Sequence, residues 1–186
     1  MAASAGRPKR ASQELLQEAA FELFQHRGYR GTTVEQIART AGFSRATFFN
    51  CFSSKAELFW VEVDALIVAL RGHLDDQLTT ATPPTLRASL LGFAAEFESS
   101  RIPWALQNYR LLEAADDLTA SGAGHVLEIN RAFVRYLQAT ERLDSIELHA
   151  RAAATTGMLV SATLGWIDAG VGRGLFVDHL GRALIH

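Results

Sequence analysis

Apolar positions recur every three or four residues along most of the chain, and that period predicts helices. Leu15, Leu16, Ala19, Ala20, Leu23 and Phe24 form one stripe, capped by Ser12 and stopped by Gly28. Val34, Ile37, Ala38 and Ala41 form a second. Thr33 and Gln36 open it as a capping box, and Gly42 closes it. Ser44 caps a third helix over residues 44–52, with Phe43 and Phe48 placed as a hydrophobic staple. Ser54 and Glu57 read as a further capping box, opening a long helix over 55–77. Thr82, Pro83 and Pro84 interrupt the pattern, and helices follow over 84–98 and, from Pro103, over 103–117. ASGAG at 120–124 reads as a loop before a helix over 125–140. Asp144 and Glu147 cap a helix over 144–169 that is apolar on nearly every side, and Gly170, Gly172 and Gly174 end it. A last helix covers 175–185. Strand alternation and internal repeats are absent, so the expectation is an all-α chain of nine helices in two subdomains.

Two short helices joined by a three-residue turn that carries Gly42 are the pattern of a helix-turn-helix, whose second helix enters a DNA major groove. The face of 44–52 away from Phe48 and Phe52 offers Ser44, Arg45, Ala46, Thr47 and Asn50, all small or hydrogen-bonding. Arg45, Thr47 and Asn50 are the expected base readers, and Thr33 and Lys55 the expected phosphate holders. A plain helical hairpin inside a bundle shows the same short pattern. The run GYRGTTVEQIARTAGFSRATFFNCFSSKAELF, residues 28–59, goes further and resembles the TetR family of bacterial transcription regulators. The family commonly has Tyr at the place of Phe49, with its hydroxyl on a phosphate; Phe49 can only pack there. Asn50 and Cys51 also replace commoner residues, and these departures bear on the operator sequence and the phosphate grip.

Charge sharpens the division. Residues 1–55 hold eight Lys/Arg against four Glu, and residues 56–186 hold ten Arg against sixteen Asp/Glu, which together make the net −2. A basic first third on an acidic remainder is the footprint of a DNA-binding head on a body that does not bind DNA. The expected domains are therefore a head over 1–54, with a disordered basic arm at about 1–11, and a body over 55–186. Arg7, Lys9 and Arg10 of the arm are placed to reach phosphates or a minor groove, or simply to solubilise.

In the body, Asn108 sits beside Trp104, and Asn130 lies on the face of Val126, Phe133 and Leu137. Each amide is a polar candidate in a mostly apolar pocket that Phe93, Phe97, Trp104, Tyr109, Phe133 and Trp166 could line. The plainer reading is a satisfied core amide among core aromatics. The resemblance implies a small effector, of unknown identity, held between the fourth and eighth helices. Gly157, Ser161 and Gly165 recur every four residues on the apolar helix 144–169, so a second backbone can approach it. Phe176, Leu180 and Leu184 add an apolar face on the last helix. Packing inside one chain and packing between two copies both fit. The resemblance implies a homodimer built on the last two helices, which suits a palindromic operator in double-stranded DNA.

Other function classes find less support. The longest apolar run, near 152–166, is too short and mixed to span a membrane, and no apolar leader opens the chain. A single cysteine excludes an internal disulfide framework and fits a reducing cytoplasm. That residue, Cys51, has no resolving partner for redox sensing. His125 and Glu128 fall three apart on a helix, but two ligands do not make a metal site, and His149 and His179 are isolated. Neither a nucleophile motif nor a phosphate loop appears, so neither enzyme nor cofactor is expected. The reading is a cytoplasmic regulator of transcription, a repressor released by its effector. An activator or a DNA-free interaction protein with the same fold are the alternatives.

Overall fold

A computed structural model of the chain describes residues 9–97, 103, 107–108, 115–170 and 172–185. These form eight α-helices and one 3-10 helix, without a strand among the described residues. The helices are α1 (Lys9–Arg27), α2 (Val34–Thr40), α3 (Arg45–Cys51), α4 (Val61–Leu78), α5 (Leu86–Ala95), α6 (Ala115–Thr140), α7 (Ser145–Asp168) and α8 (Phe176–Ala183). The 3-10 helix, Ala56–Phe59, lies between α3 and α4. The chain is all-α as expected, with eight α-helices rather than nine among the described residues. The expected helix over 103–117 falls largely outside them, although Gln107 and Asn108 are helical.

Several boundaries differ from expectation for physical reasons. Helix α1 starts at Lys9, so residues 9–11 belong to it and not to an arm. Ser12 is then an interior residue, only 6% exposed, and not a cap. The expected loop at 120–124 is helical, inside α6. Buried Leu118, Gly122, Ala132, Phe133, Tyr136 and Leu137 carry the three-to-four spacing across it, and Ser121 bonds back to the carbonyl of Asp117 at 2.7 Å. The expected helix over 55–77 is broken: a 3-10 turn precedes α4. Glu57 reaches back to the backbone N–H of Ser53 at 2.9 Å, not to Ser54, and the 3-10 helix starts beyond both serines with Lys55 at its N-cap.

The chain divides into two compact units, Met1–Val61 with Asn108–Ser121, and Glu62–Gln107 with Gly122–His186. The first is built on Leu16, Ala20, Phe24, Ile37, Phe48, Leu58 and Phe59, each at most 1% exposed. Phe24, Tyr29 and Phe59 meet in a ring cluster with centroids 5.2–5.7 Å apart. Buried Gln17 donates to the carbonyl of Leu58 at 3.2 Å and so ties α1 to the 3-10 turn.

The second unit packs α8 against α5 and α7. Trp166 of α7, 2% exposed, sits 5.1 Å from Phe176 and 5.8 Å from Phe97. Its indole N–H donates to the carbonyl of Gly174 at 2.9 Å, which fixes the turn between α7 and α8. Tyr136 of α6 donates to the carbonyl of Pro84 at 2.8 Å. Its one proton is thereby used, so Ser89 must be the donor in their 2.8 Å contact.

Candidate nucleic-acid interface

The site is the α2–turn–α3 element, and caps set its geometry. Thr33 accepts from the N–H of Gln36 at 3.2 Å while the Gln36 side chain accepts from the N–H of Thr33 at 2.8 Å, a complete capping box. The turn passes through Gly42 at φ +76, a conformation that costs a side-chain-bearing residue about 1 kcal/mol or more. Ser44 then caps α3 by accepting from the N–H of Thr47 at 3.1 Å. Phe48, fully buried, anchors α3 inward beside Phe52 at 5.5 Å. The opposite face is thereby turned out: Ser44, Arg45, Ala46, Phe49 and Asn50 are exposed and Thr47 is half-buried.

These side chains are not equally available. Thr47 is engaged with Ser44, their hydroxyls 2.9 Å apart. Asn50 is exposed, with its side-chain amide open to solvent. Arg45 is held on two sides: its Nε lies 2.5 Å from Glu35 of α2, and its guanidinium lies 5.0 Å from the centre of the Phe49 ring. Thr33 is exposed, and its hydroxyl, an acceptor in the cap, still has a proton to give. Cys51 is half-buried in the last turn of α3.

Lys55 is placed differently from an exposed phosphate holder. Its ammonium donates to the carbonyls of Tyr29 at 2.6 Å and Thr32 at 2.9 Å, and lies 3.9 Å from the centre of the Tyr29 ring. It closes the α1–α2 connection from within the unit. Burial lowers its pKa from the ordinary lysine value, and the charge of Asp117 acts against that shift. Burial also pushes the Tyr29 phenol well up, and a hydrogen bond to Asp117 adds to it. Trp60 donates to Ser121 at 2.8 Å, so the first turns of α6 supply two partners to this unit. Glu35, Tyr29, Asp117 and Ser121 were not expected as site residues. Only the three-dimensional turn brings them here; nothing in their spacing marks them.

Residues 16–60 match the family model described as "Bacterial regulatory proteins, tetR family". That segment contains the whole of the capped element and the 3-10 turn. This chain belongs to the TetR family. It is 34% identical over 102 residues to MftR of Mycobacterium tuberculosis, named as a mycofactocin biosynthesis transcriptional regulator, covering 52% of this chain and 50% of that protein. It is 30% identical over 142 residues to the HTH-type transcriptional regulator TcmR of Streptomyces glaucescens, covering 73% and 62%. The chain thus spans about half to three-fifths of the length of these relatives. Among solved structures, Thermus thermophilus FadR, a TetR-family transcriptional repressor in complex with lauroyl-CoA, superposes with a TM-score of 0.60 at 26% identity, over 92% of this chain and 91% of that one.

The remaining expected residues of this TetR-family chain fall in several places. Phe93, Phe97, Asn130, Phe133 and Trp166 lie in the second unit, Asn108 in the first, and Trp104 and Tyr109 outside the described residues. Phe133 is fully buried, and the Asn130 amide donates to Thr156 at 3.3 Å, so this amide has a partner within the fold. On α7, Gly157, Ser161 and Gly165 are exposed, and a Cβ added at either glycine would meet nothing within 4 Å among the described residues. Phe176, Leu180 and Leu184, expected on the same dimer face, are instead 8%, 1% and 8% exposed within the single chain, because the aromatic cluster around Trp166 draws α8 inward. His125 pairs with Asp64 at 2.8 Å rather than with Glu128. Among the described residues no group of three or more potential metal ligands gathers, and no helix is long and apolar enough to cross a membrane.

Proposed function

We propose that this chain is a cytoplasmic, homodimeric DNA-binding regulator of transcription, a repressor that a small-molecule effector releases from a palindromic operator. The observation that carries the reading is the outward face of α3: a seven-residue helix, capped by Ser44 and anchored by buried Phe48, presents Arg45, Ala46, Phe49 and Asn50 to solvent. A helix so held is a rigid probe of major-groove width. Asn50 has the amide pair that matches adenine, and Thr33 has a hydroxyl proton for phosphate.

The complex of FadR with lauroyl-CoA supports a ligand-responsive body, and an effector with an apolar chain suits the second unit's aromatics. Effector binding then favours a dimer whose heads stand apart, and a coupling of about 1–3 kcal/mol between the two ligands is enough to release DNA. The test is a gel shift with the DNA that flanks the chain's own gene, at low and physiological salt, with and without medium-chain acyl-CoA thioesters. A complex that weakens steeply with salt supports the DNA reading. Absence of any shift at micromolar protein in low salt overturns it, and a shift that no small molecule relieves removes the effector part.

A further inference from the structure

On the face assigned above to DNA, Arg45 is contacted from two sides. Arg45 is the first residue of α3, and three groups converge around it. Glu35 takes its Nε at 2.5 Å, the Phe49 ring lies 5.0 Å from its Cζ one turn along the same helix, and Ser44 caps the helix beneath it. The side chains of Arg45 and Glu35 remain 64% and 59% exposed, so the pair stands at the surface. A free exposed arginine turns to the nearest phosphate, which carries no sequence information. An arginine whose Nε is already bonded to a carboxylate keeps its two Nη groups, pointing away from that carboxylate as two parallel donors. Of the base edges in a major groove, only guanine offers two adjacent acceptors, O6 and N7, to such a fork.

Resting on the DNA-binding reading, we propose that Glu35 and Phe49 position Arg45 to read one guanine in each operator half-site, with Glu35 acting as a specificity residue that never needs to touch DNA. Its carboxylate also disfavours approach of a phosphate, so it trades general affinity for base choice. Phe49 offers only a ring face at this position, and the guanidinium plane can rest on it.

The experiment selects bound sequences from a random double-stranded library with the wild type, Glu35→Gln and Arg45→Lys, and then measures affinities on the selected duplex and on one carrying 7-deazaguanine. The wild type should enrich a palindrome with a fixed guanine in each half, and 7-deazaguanine there should weaken binding by about tenfold. Arg45→Lys, which keeps the charge but loses the fork, should lose that preference. Glu35→Gln keeps the side-chain shape and should hold or raise affinity for unrelated DNA while its guanine preference falls by a similar factor. A merely structural Glu35 would change melting temperature and affinity for all sequences together. Enrichment of a palindrome whose base preferences are the same in Glu35→Gln, or unchanged by Arg45→Lys, overturns this inference and leaves the regulator reading standing. Enrichment of nothing by the wild type overturns both.

Discussion

Lys55 shows how a single side chain can carry an expected charge and use it elsewhere. Its ammonium satisfies the carbonyls of Tyr29 and Thr32, which the α1–α2 connection leaves without helical partners. Replacing it by methionine keeps the stem but removes both donors. Lys55→Met should therefore destabilise the head by about 1–2 kcal/mol, read by chemical denaturation. If Lys55 served DNA phosphate alone, the same variant would melt normally and lower the salt slope of binding by about one. Tyr29 supplies a second expectation. Its folded pKa is raised, so below the ordinary tyrosine value both states hold the proton and nothing is lost. As pH climbs past about 10 the unfolded chain releases the proton first, and stability falls. The lowered pKa of Lys55 acts in the opposite sense, adding stability as pH rises toward the ordinary lysine value. The difference between wild type and Tyr29→Phe isolates the phenol: the variant should show the shallower loss from about pH 10 upward, and parallel curves would refute the assignment.

At the scale of elements, α6 makes the sharpest claim. Two glycines and two small residues around Ala123 suggested a loop, yet the helix continues through them. Gly124 is helical and exposed, and a Cβ added there would meet nothing within 4 Å among the described residues. Gly124→Ala should raise the thermal stability by about 0.5–1 kcal/mol, through the unfolded state; a loss would show that the segment is not helical. The capped turn makes the complementary claim, that Thr33→Ala should cost about 1 kcal/mol. The contrast between these elements explains what could be read in advance. Caps at Thr33, Ser44 and Asp144 are local: a side chain bonds an N–H three residues away, so residue type and spacing suffice, and α2, α3 and α7 start at those caps. Ser12 and Ser54 show the same residue type without the role, because burial of Ser12 and the 3-10 turn at Ala56–Phe59 are decided by packing. The outward face of α3 was legible from the position of Phe48. The clasp on Arg45 was not, since Glu35 lies ten positions away on another helix and only the turn through Gly42 brings the two together.

At the scale of the whole molecule, the question is what covers α7. Ala152, Thr156, Ala162, Trp166 and Ile167 are buried within the chain, while Ile146, Gly157, Ser161, Leu164 and Gly165 lie exposed along the other side. Ile146 at 83% and Leu164 at 46% are large apolar groups beside small ones, a surface that favours close approach of another helix over contact with water. With Phe176, Leu180 and Leu184 turned inward, the proposed two-fold contact narrows to α7 itself. It would present two copies of α3 to half-sites about one helical turn, roughly 34–36 Å, apart or a multiple of that. Gly165→Leu separates the possibilities. Among the described residues a Cβ at Gly165 would meet nothing within 4 Å, so the isolated fold should tolerate the change, with the same helicity. Between two α7 helices the added isobutyl group has no room, and overpacking of this kind costs about 1–3 kcal/mol. The variant should dissociate at concentrations about five- to a hundredfold higher than the wild type in sedimentation, and should lose cooperative binding to the full palindrome while keeping its affinity for one half-site. A wild type that sediments as a monomer at micromolar concentration, or a Gly165→Leu variant that dimerises as well as its parent, would place the contact elsewhere.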